Sequence, residues 1–227
     1  MKTSFFGALI LMLLIVSNVF AGAFGPPEPL ADPGKVSLGL GYWLDRTKME
    51  QGGDRLGARS NQYYLQGTYT FLKDWEVYGK LGGADMVVHS QDTNQRFSDS
   101  VNVYGSLGFK GVVYRYGDFA VGPFIEGSWY GDYKDVAKNL WDTNVGVSAQ
   151  YKIHSVTLYG GPFGYWHEAD SRLALNPSVS QDDMKERHNL GGFLGVSVPV
   201  MQQKVFLAAE VQMKDRPGVG ASISYKF

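Results

Sequence analysis

Gly218-Val219-Gly220-Ala221-Ser222-Ile223-Ser224-Tyr225-Lys226-Phe227 closes the sequence and decides how the rest of it reads. Val219, Ala221, Ile223, Tyr225 and Phe227 fall on one face of an extended strand, and Gly220, Ser222, Ser224 and Lys226 fall on the other. Successive side chains of a strand point to opposite faces, so this strict alternation is a β signal. A soluble sheet seldom leaves an apolar strand end, capped by an aromatic, as a free terminus. A closed membrane barrel has a place for it, with the outward face in lipid, the inward face in a polar lumen and the aromatics at the interface.

The same beat runs upstream. Residues 204–213 set Val205, Leu207, Ala209, Val211 and Met213 against Phe206, Ala208, Glu210 and Gln212. Residues 59–71 set Tyr63, Leu65, Gly67, Tyr69 and Phe71 against Gln62, Tyr64, Gln66, Thr68 and Thr70. That polar set is too large for a dry core, because each buried amide or hydroxyl needs a partner. Further alternating stretches fall at 35–46, 75–88, 100–113, 119–131, 140–152, 156–167 and 188–200. Short turns after Phe71, Val113, Lys152 and Val200 alternate with longer loops at 47–58, 89–98, 132–138 and 168–186. The sequence therefore predicts an all-β, antiparallel up-and-down transmembrane barrel of about ten strands, with eight as the alternative count. Gly122-Pro123-Phe124 and Gly161-Pro162-Phe163 form a weak repeat. Each proline should mark a bulge or kink, since it cannot donate to a ladder.

The terminal strand ending in Phe227 resembles the last strand of bacterial outer-membrane β-barrel proteins, the small OmpA-like and porin-like barrels. The resemblance covers the barrel domain only, with no peptidoglycan-binding domain after Phe227. It implies that Tyr225 and Phe227 belong to the signal read by the outer-membrane assembly machinery. It also implies a protein of the outer membrane in contact with its lipid and lipopolysaccharide. A monomer is expected.

The other end agrees. Met1-Lys2, an apolar run over 5–16 and the small-residue exit Ala21-Gly22-Ala23 make an export signal over residues 1–23, with cleavage after Ala21 or Ala23. Removal leaves roughly 200 residues, enough for one β domain. Residues 24–34 hold four prolines and read as an extended leader outside the barrel, which then occupies 35–227. The mean hydropathy is −0.18, as expected where only alternate residues meet lipid. The net charge of −1 argues against a nucleic-acid partner. There are no cysteines, which excludes disulfides, thiolate metal sites and lipoprotein anchoring. No cofactor is called for.

Two groups of residues could carry chemistry. Glu76, Lys80, Lys110, Glu126 and Glu210 face inward as a lumen charge cluster, with Glu76 and Lys110 near one end of adjacent strands. Opposite charges in a narrow lumen pair, either as a plug or as the gate of a narrow pore. His89, Ser90 and Asp92, then His167, Glu168 and Asp170, then Asp182, Asp183 and His188 sit at the outer rim. Imidazole beside carboxylate is the material of acid–base or metal chemistry. The leading expectation is a non-enzymatic barrel acting structurally, as a narrow pore or through its outer loops. A rim enzyme, a protease or a lipid-A-modifying enzyme, is the alternative. A soluble periplasmic barrel with an apolar ligand is the third reading.

Overall fold

The computed structural model describes residues 24–51, 54–173, 184–186 and 188–227. The expected export signal over residues 1–23, Asp182 and Asp183 lie outside the described residues. The strands are β1 (Val36–Gln51), β2 (Asp54–Leu72), β3 (Trp75–Ser90), β4 (Arg96–Gly111), β5 (Tyr114–Tyr116), β6 (Phe119–Tyr130), β7 (Ala137–Ile153), β8 (Val156–Ser171), β9 (Met184–Glu186), β10 (Leu190–Val200), β11 (Val205–Met213) and β12 (Pro217–Lys226). Ten of them form a closed antiparallel ring, and β5 and β9 are short additions to it. The ring closes where β12 pairs with β1, from Ser37 opposite Lys226 to Leu44 opposite Val219, and where β10 pairs with β8. Every neighbour follows its predecessor in sequence apart from that closure, which is the up-and-down topology the alternation predicts.

The wall has the inverted polarity of a membrane barrel. Leu40, Leu65, Leu107 and Val147 point outward and are about half exposed or more, reaching 62% at Leu107, and Val196 shares their face. Above this band Tyr63, Trp129, Trp141 and Trp166 lie on the outer surface, and below it lie Phe71, Phe109, Tyr151, Tyr225 and Phe227. Two aromatic girdles flanking an apolar belt are the mark of a barrel that spans a bilayer. Tyr225 and Phe227 meet edge to face, with ring centroids 4.9 Å apart. Among the described residues no helix is long and apolar enough to cross a membrane.

The structure corrects three expectations. Residues 47–58 are not a loop, because β1 runs to Gln51 and β2 starts at Asp54. Their polar composition hid an inward alternation of Thr47, Met49 and Gln51 against Leu56 and Ala58, all buried. Likewise the strands flanking 89–98 meet over a turn of residues 91–95 only, and β8 continues through Ser171. The wall therefore rises well past the upper girdle on the β1–β4 and β7–β8 side. It stays low at β10–β12, and β9 bridges the gap above by pairing Met184 and Lys185 with β8 and Lys185 and Glu186 with β1. The third correction concerns the leader, which is inside the barrel.

Pro123 sits where β4 hands over to β5. Lys110 opposes Phe124 but Tyr114 opposes Val121, so one extra residue bulges there. Pro162 interrupts the β7–β8 pairing between Phe163 and Gly160 without shifting its register. The glycine beside each proline permits a close backbone approach. A Cβ on Gly122 would overlap the Gly111 carbonyl, and one on Gly161 the Val147 carbonyl.

Candidate functional site: the filled lumen

Residues 24–34 enter the lumen from the end where both termini of the barrel lie. Gly34 donates to the Thr70 carbonyl at 2.7 Å, and Gly25 and Gly34 take left-handed φ values of 73° and 78° that turn the chain inward. Phe24 reaches deepest and is 3% exposed. Its ring packs on Phe124, Phe163 and Phe193 with centroids 4.4, 5.1 and 5.3 Å away. Those three inward aromatics interrupt an otherwise polar lining, and the leader supplies the apolar partner they need.

The charge cluster grips this segment. Glu76 and Lys110 stand directly opposite across β3 and β4, with Nζ 3.3 Å from Oε1. Lys110 also donates to the Phe24 carbonyl at 2.9 Å, and Glu76 accepts from the Leu30 amide at 2.9 Å. Glu210 accepts from the Gly25 and Phe24 nitrogens at 3.0 and 3.4 Å and from Gln212 at 3.1 Å. At the mouth, Glu28 pairs with Arg115 and Lys152 and accepts from Gln150 at 2.8 Å. Burial pushes the Glu28 carboxyl up, but these hydrogen bonds outweigh it and hold it below its ordinary 4.5. Lys80 and Glu126 form a separate pair at 2.7 Å one level higher, joined by the Tyr78 hydroxyl at 2.7 Å. So four of the five predicted lumen charges sit in two ion pairs, and the fifth, Glu210, binds the leader.

A belt of Trp43, Tyr64 and Tyr104 lies above the Lys80 pair. Tyr130 donates to Asp142 at 2.7 Å on one side of it. On the other, Asp45 binds Lys214 at 3.1 Å and stands 3.7 Å from His167. Higher still the lining turns apolar: Met49, Leu56, Met86 and Val88 pack against Tyr133 and Val136 of the β6–β7 loop and against Leu173 and Met184. The cavities between these layers hold about 20 to 50 Å³ each, one or a few waters. Among the described residues a larger space of about 330 Å³ opens at the leader's own mouth, beside Glu28, Lys152 and Phe206.

Among the described residues the rim residues do not come together. His89 faces out of the wall and Ser90 into it, as adjacent strand residues must. Asp92 caps the Arg55 amide at 2.7 Å, Glu168 pairs with Lys185 at 3.2 Å, Asp170 accepts from Asn139 at 2.7 Å and His188 holds Asp215 at 2.6 Å. His167 points inward to Asp45 instead. Among the described residues no group of three or more His, Asp or Glu is arranged to hold a metal. The residues that sequence reasoning missed are Phe24, Glu28 and Leu30 in the leader, with Arg115 and Lys152 that clamp it. The signal available was the unmatched inward phenylalanines.

The fold has solved counterparts. It is similar to an outer-membrane channel from Pseudomonas putida F1, with a TM-score of 0.52 and 11% identity over 89% of this chain and 98% of that one. The chain folds as a ten-stranded antiparallel β-barrel of the membrane-spanning kind. The transport unit of the autotransporter AIDA-I from Escherichia coli matches 85% of the barrel's chain and 90% of its own at a TM-score of 0.49 and 14% identity. The outer-membrane protease OmpT from Escherichia coli matches 86% and 97% at 0.44 and 11%. No family model and no curated protein matches the sequence. At these identities the likeness carries the barrel's architecture alone.

Proposed function

We propose that the protein is a closed, non-enzymatic barrel that acts through the surface it presents outside the membrane rather than as a standing pore. The observation that supports this reading is the occupied lumen: leader, ion pairs, tyrosine belt and apolar outer core succeed one another among the described residues, and the cavities between those layers are water-sized. Small barrels fill their interiors with side chains, and this one adds a segment of its own chain. Single-channel recording of the purified protein in planar bilayers tests it. The expected trace has no steady conductance, and a reproducible open level in the wild type overturns the reading.

The outward face supports lipopolysaccharide as a partner. Arg46 stands directly opposite Arg59 on the outer surface, just beyond the Tyr42–Tyr63 ring pair of the upper girdle. Like charges directly across a ladder repel, and an anionic headgroup between them removes that cost. The last strand, with Tyr225 and Phe227 at the lower girdle, serves in this reading as the assembly signal. Deleting Phe227 then lowers the yield in the outer membrane more than it lowers the stability of what does assemble.

A further inference from the structure

We propose that hydrolysis of the Ala23–Phe24 bond finishes the lumen, because the α-ammonium it creates on Phe24 is the cation that Glu210 is placed to bind. The inference stands whether or not the barrel conducts. It concerns how the interior is completed, not what passes through it.

The nitrogen in question is already at the site. Phe24 N lies 3.4 Å from Glu210 Oε1 and Gly25 N lies 3.0 Å from Oε2, with Phe24 and Glu210 both nearly inaccessible. In an uncut chain that nitrogen is a neutral amide. Hydrolysis adds one water across the peptide bond, leaving a carboxylate on Ala23 and an amine on Phe24 that takes up a proton. A free α-amine is protonated in neutral water, and the Glu210 carboxylate beside it favours that charged form against the cost of burial. A hydrogen bond between two charged groups is roughly twice as strong as one between neutral groups.

Three further observations agree. Ala21-Gly22-Ala23 immediately precedes Phe24 and has the small-x-small form that an export peptidase cuts after. This selects Ala23 over Ala21, since the alternative cut leaves the charge two residues away from Glu210. The other end of the same residue has the complementary environment, with Lys110 Nζ 2.9 Å from the Phe24 carbonyl oxygen. Finally, a cavity of about 20 Å³ bordered by Phe24, Lys80 and Glu126 has room for one water, a further acceptor for an ammonium with three donors.

The direct test is N-terminal sequencing of the protein isolated from outer membranes. Phe24 as the first residue is expected, and Gly22 as the first residue overturns the proposal. The pair itself is read by limited proteolysis of the leader in three refolded versions: one starting at Phe24, one starting at Gly22 and one starting at Phe24 with Glu210→Gln. The first should resist cleavage roughly tenfold longer than either of the others, the gain expected of a charge-assisted bond in a confined site. Glu210→Gln placed in the version starting at Gly22 should change little. An equal loss in both backgrounds shows that Glu210 binds an ordinary amide and overturns the ammonium's role. If Glu210→Gln does not refold, acylation of the α-amine in the wild-type protein decides. Slow labelling in the native barrel and fast labelling in urea support the pair, and equal rates exclude it.

Discussion

Below the belt of Trp43, Tyr64 and Tyr104 the lumen is charged and is filled by a segment that takes no part in the wall. Above it the interior is apolar and is filled by the wall's own loop and by β9. The lower half resembles a binding site whose ligand happens to be tethered, with Glu76, Lys110, Glu210, Arg115 and Lys152 each touching the leader or its partner. The upper half resembles the core of a soluble barrel. The difference teaches that closure has two physical sources in one molecule. Hydrophobic closure is tied to folding and ends only when the wall opens. Electrostatic closure depends on desolvated charges, and a change in charge state can release it without unfolding anything.

The largest expected effect comes from stranding a charge in the lower half. Lys80→Ala leaves Glu126 buried without its 2.7 Å partner and should cost about 3–5 kcal/mol in urea unfolding in micelles. Adding Glu126→Gln should recover part of the loss, which no outer-core variant can imitate. Leu56→Ala removes a side chain from the apolar half and should cost about 3 kcal/mol through the cavity it leaves. Its conductance should stay at the wild-type level, and an opened pore would show that the outer core, not the leader, is the main seal.

Leu107→Arg sets the scale from outside. A charge in the lipid band should cost about 2–4 kcal/mol, measured as folding into vesicles. Arginine at inward-facing Gln66, beside a small cavity, should be milder. Equal costs at the two positions would mean that the wall does not stand in a membrane. The smallest effect is that of acid on the leader clamp. The Glu28 carboxyl is held below its ordinary value, so its contribution is present above about pH 4.5 and is lost as the pH falls through the lowered value. About 1 kcal/mol is at stake for a partly exposed pair. Protease sensitivity of residues 24–34 should rise below pH 4 while the upper half stays protected, and Glu28→Gln should weaken the pH dependence, with Glu76 and Glu210 carrying what remains.

Much of the wall was legible because alternation is a local signal that a closed barrel leaves undisturbed. The facing of Leu40, Leu65, Leu107, Val147 and Val196 and the opposition of Glu76 to Lys110 follow from counting by twos. The outer ends were misread because Met49, Leu56 and Ala58 are separated by polar residues that face water rather than lipid. There the alternation is polar-out and apolar-in, the reverse of the membrane band. The leader was misread for a different reason. Proline excludes residues 24–34 from a ladder, but nothing in local chemistry says whether a chain excluded from the wall lies outside it or within. Only the inward surplus of Phe124, Phe163 and Phe193, spread over three strands, points to the interior. Of the site, the sequence showed which charges face inward but not what they hold.

The hydrogen bond from Phe24 to Glu210 joins residues 186 positions apart, and it has a consequence in time. Its two halves are the first and nearly the last parts of the described chain to be synthesised. Contacts of such sequence separation form late, since the intervening loop must close before they reward it. Glu210 lies on β11, one strand before the ring closes, so the leader cannot find its complete site until the final hairpin has arrived. The barrel therefore holds a clock: an occupied lower lumen reports that every strand is in place, and a molecule stalled one hairpin short is left with a free and digestible N-terminal arm.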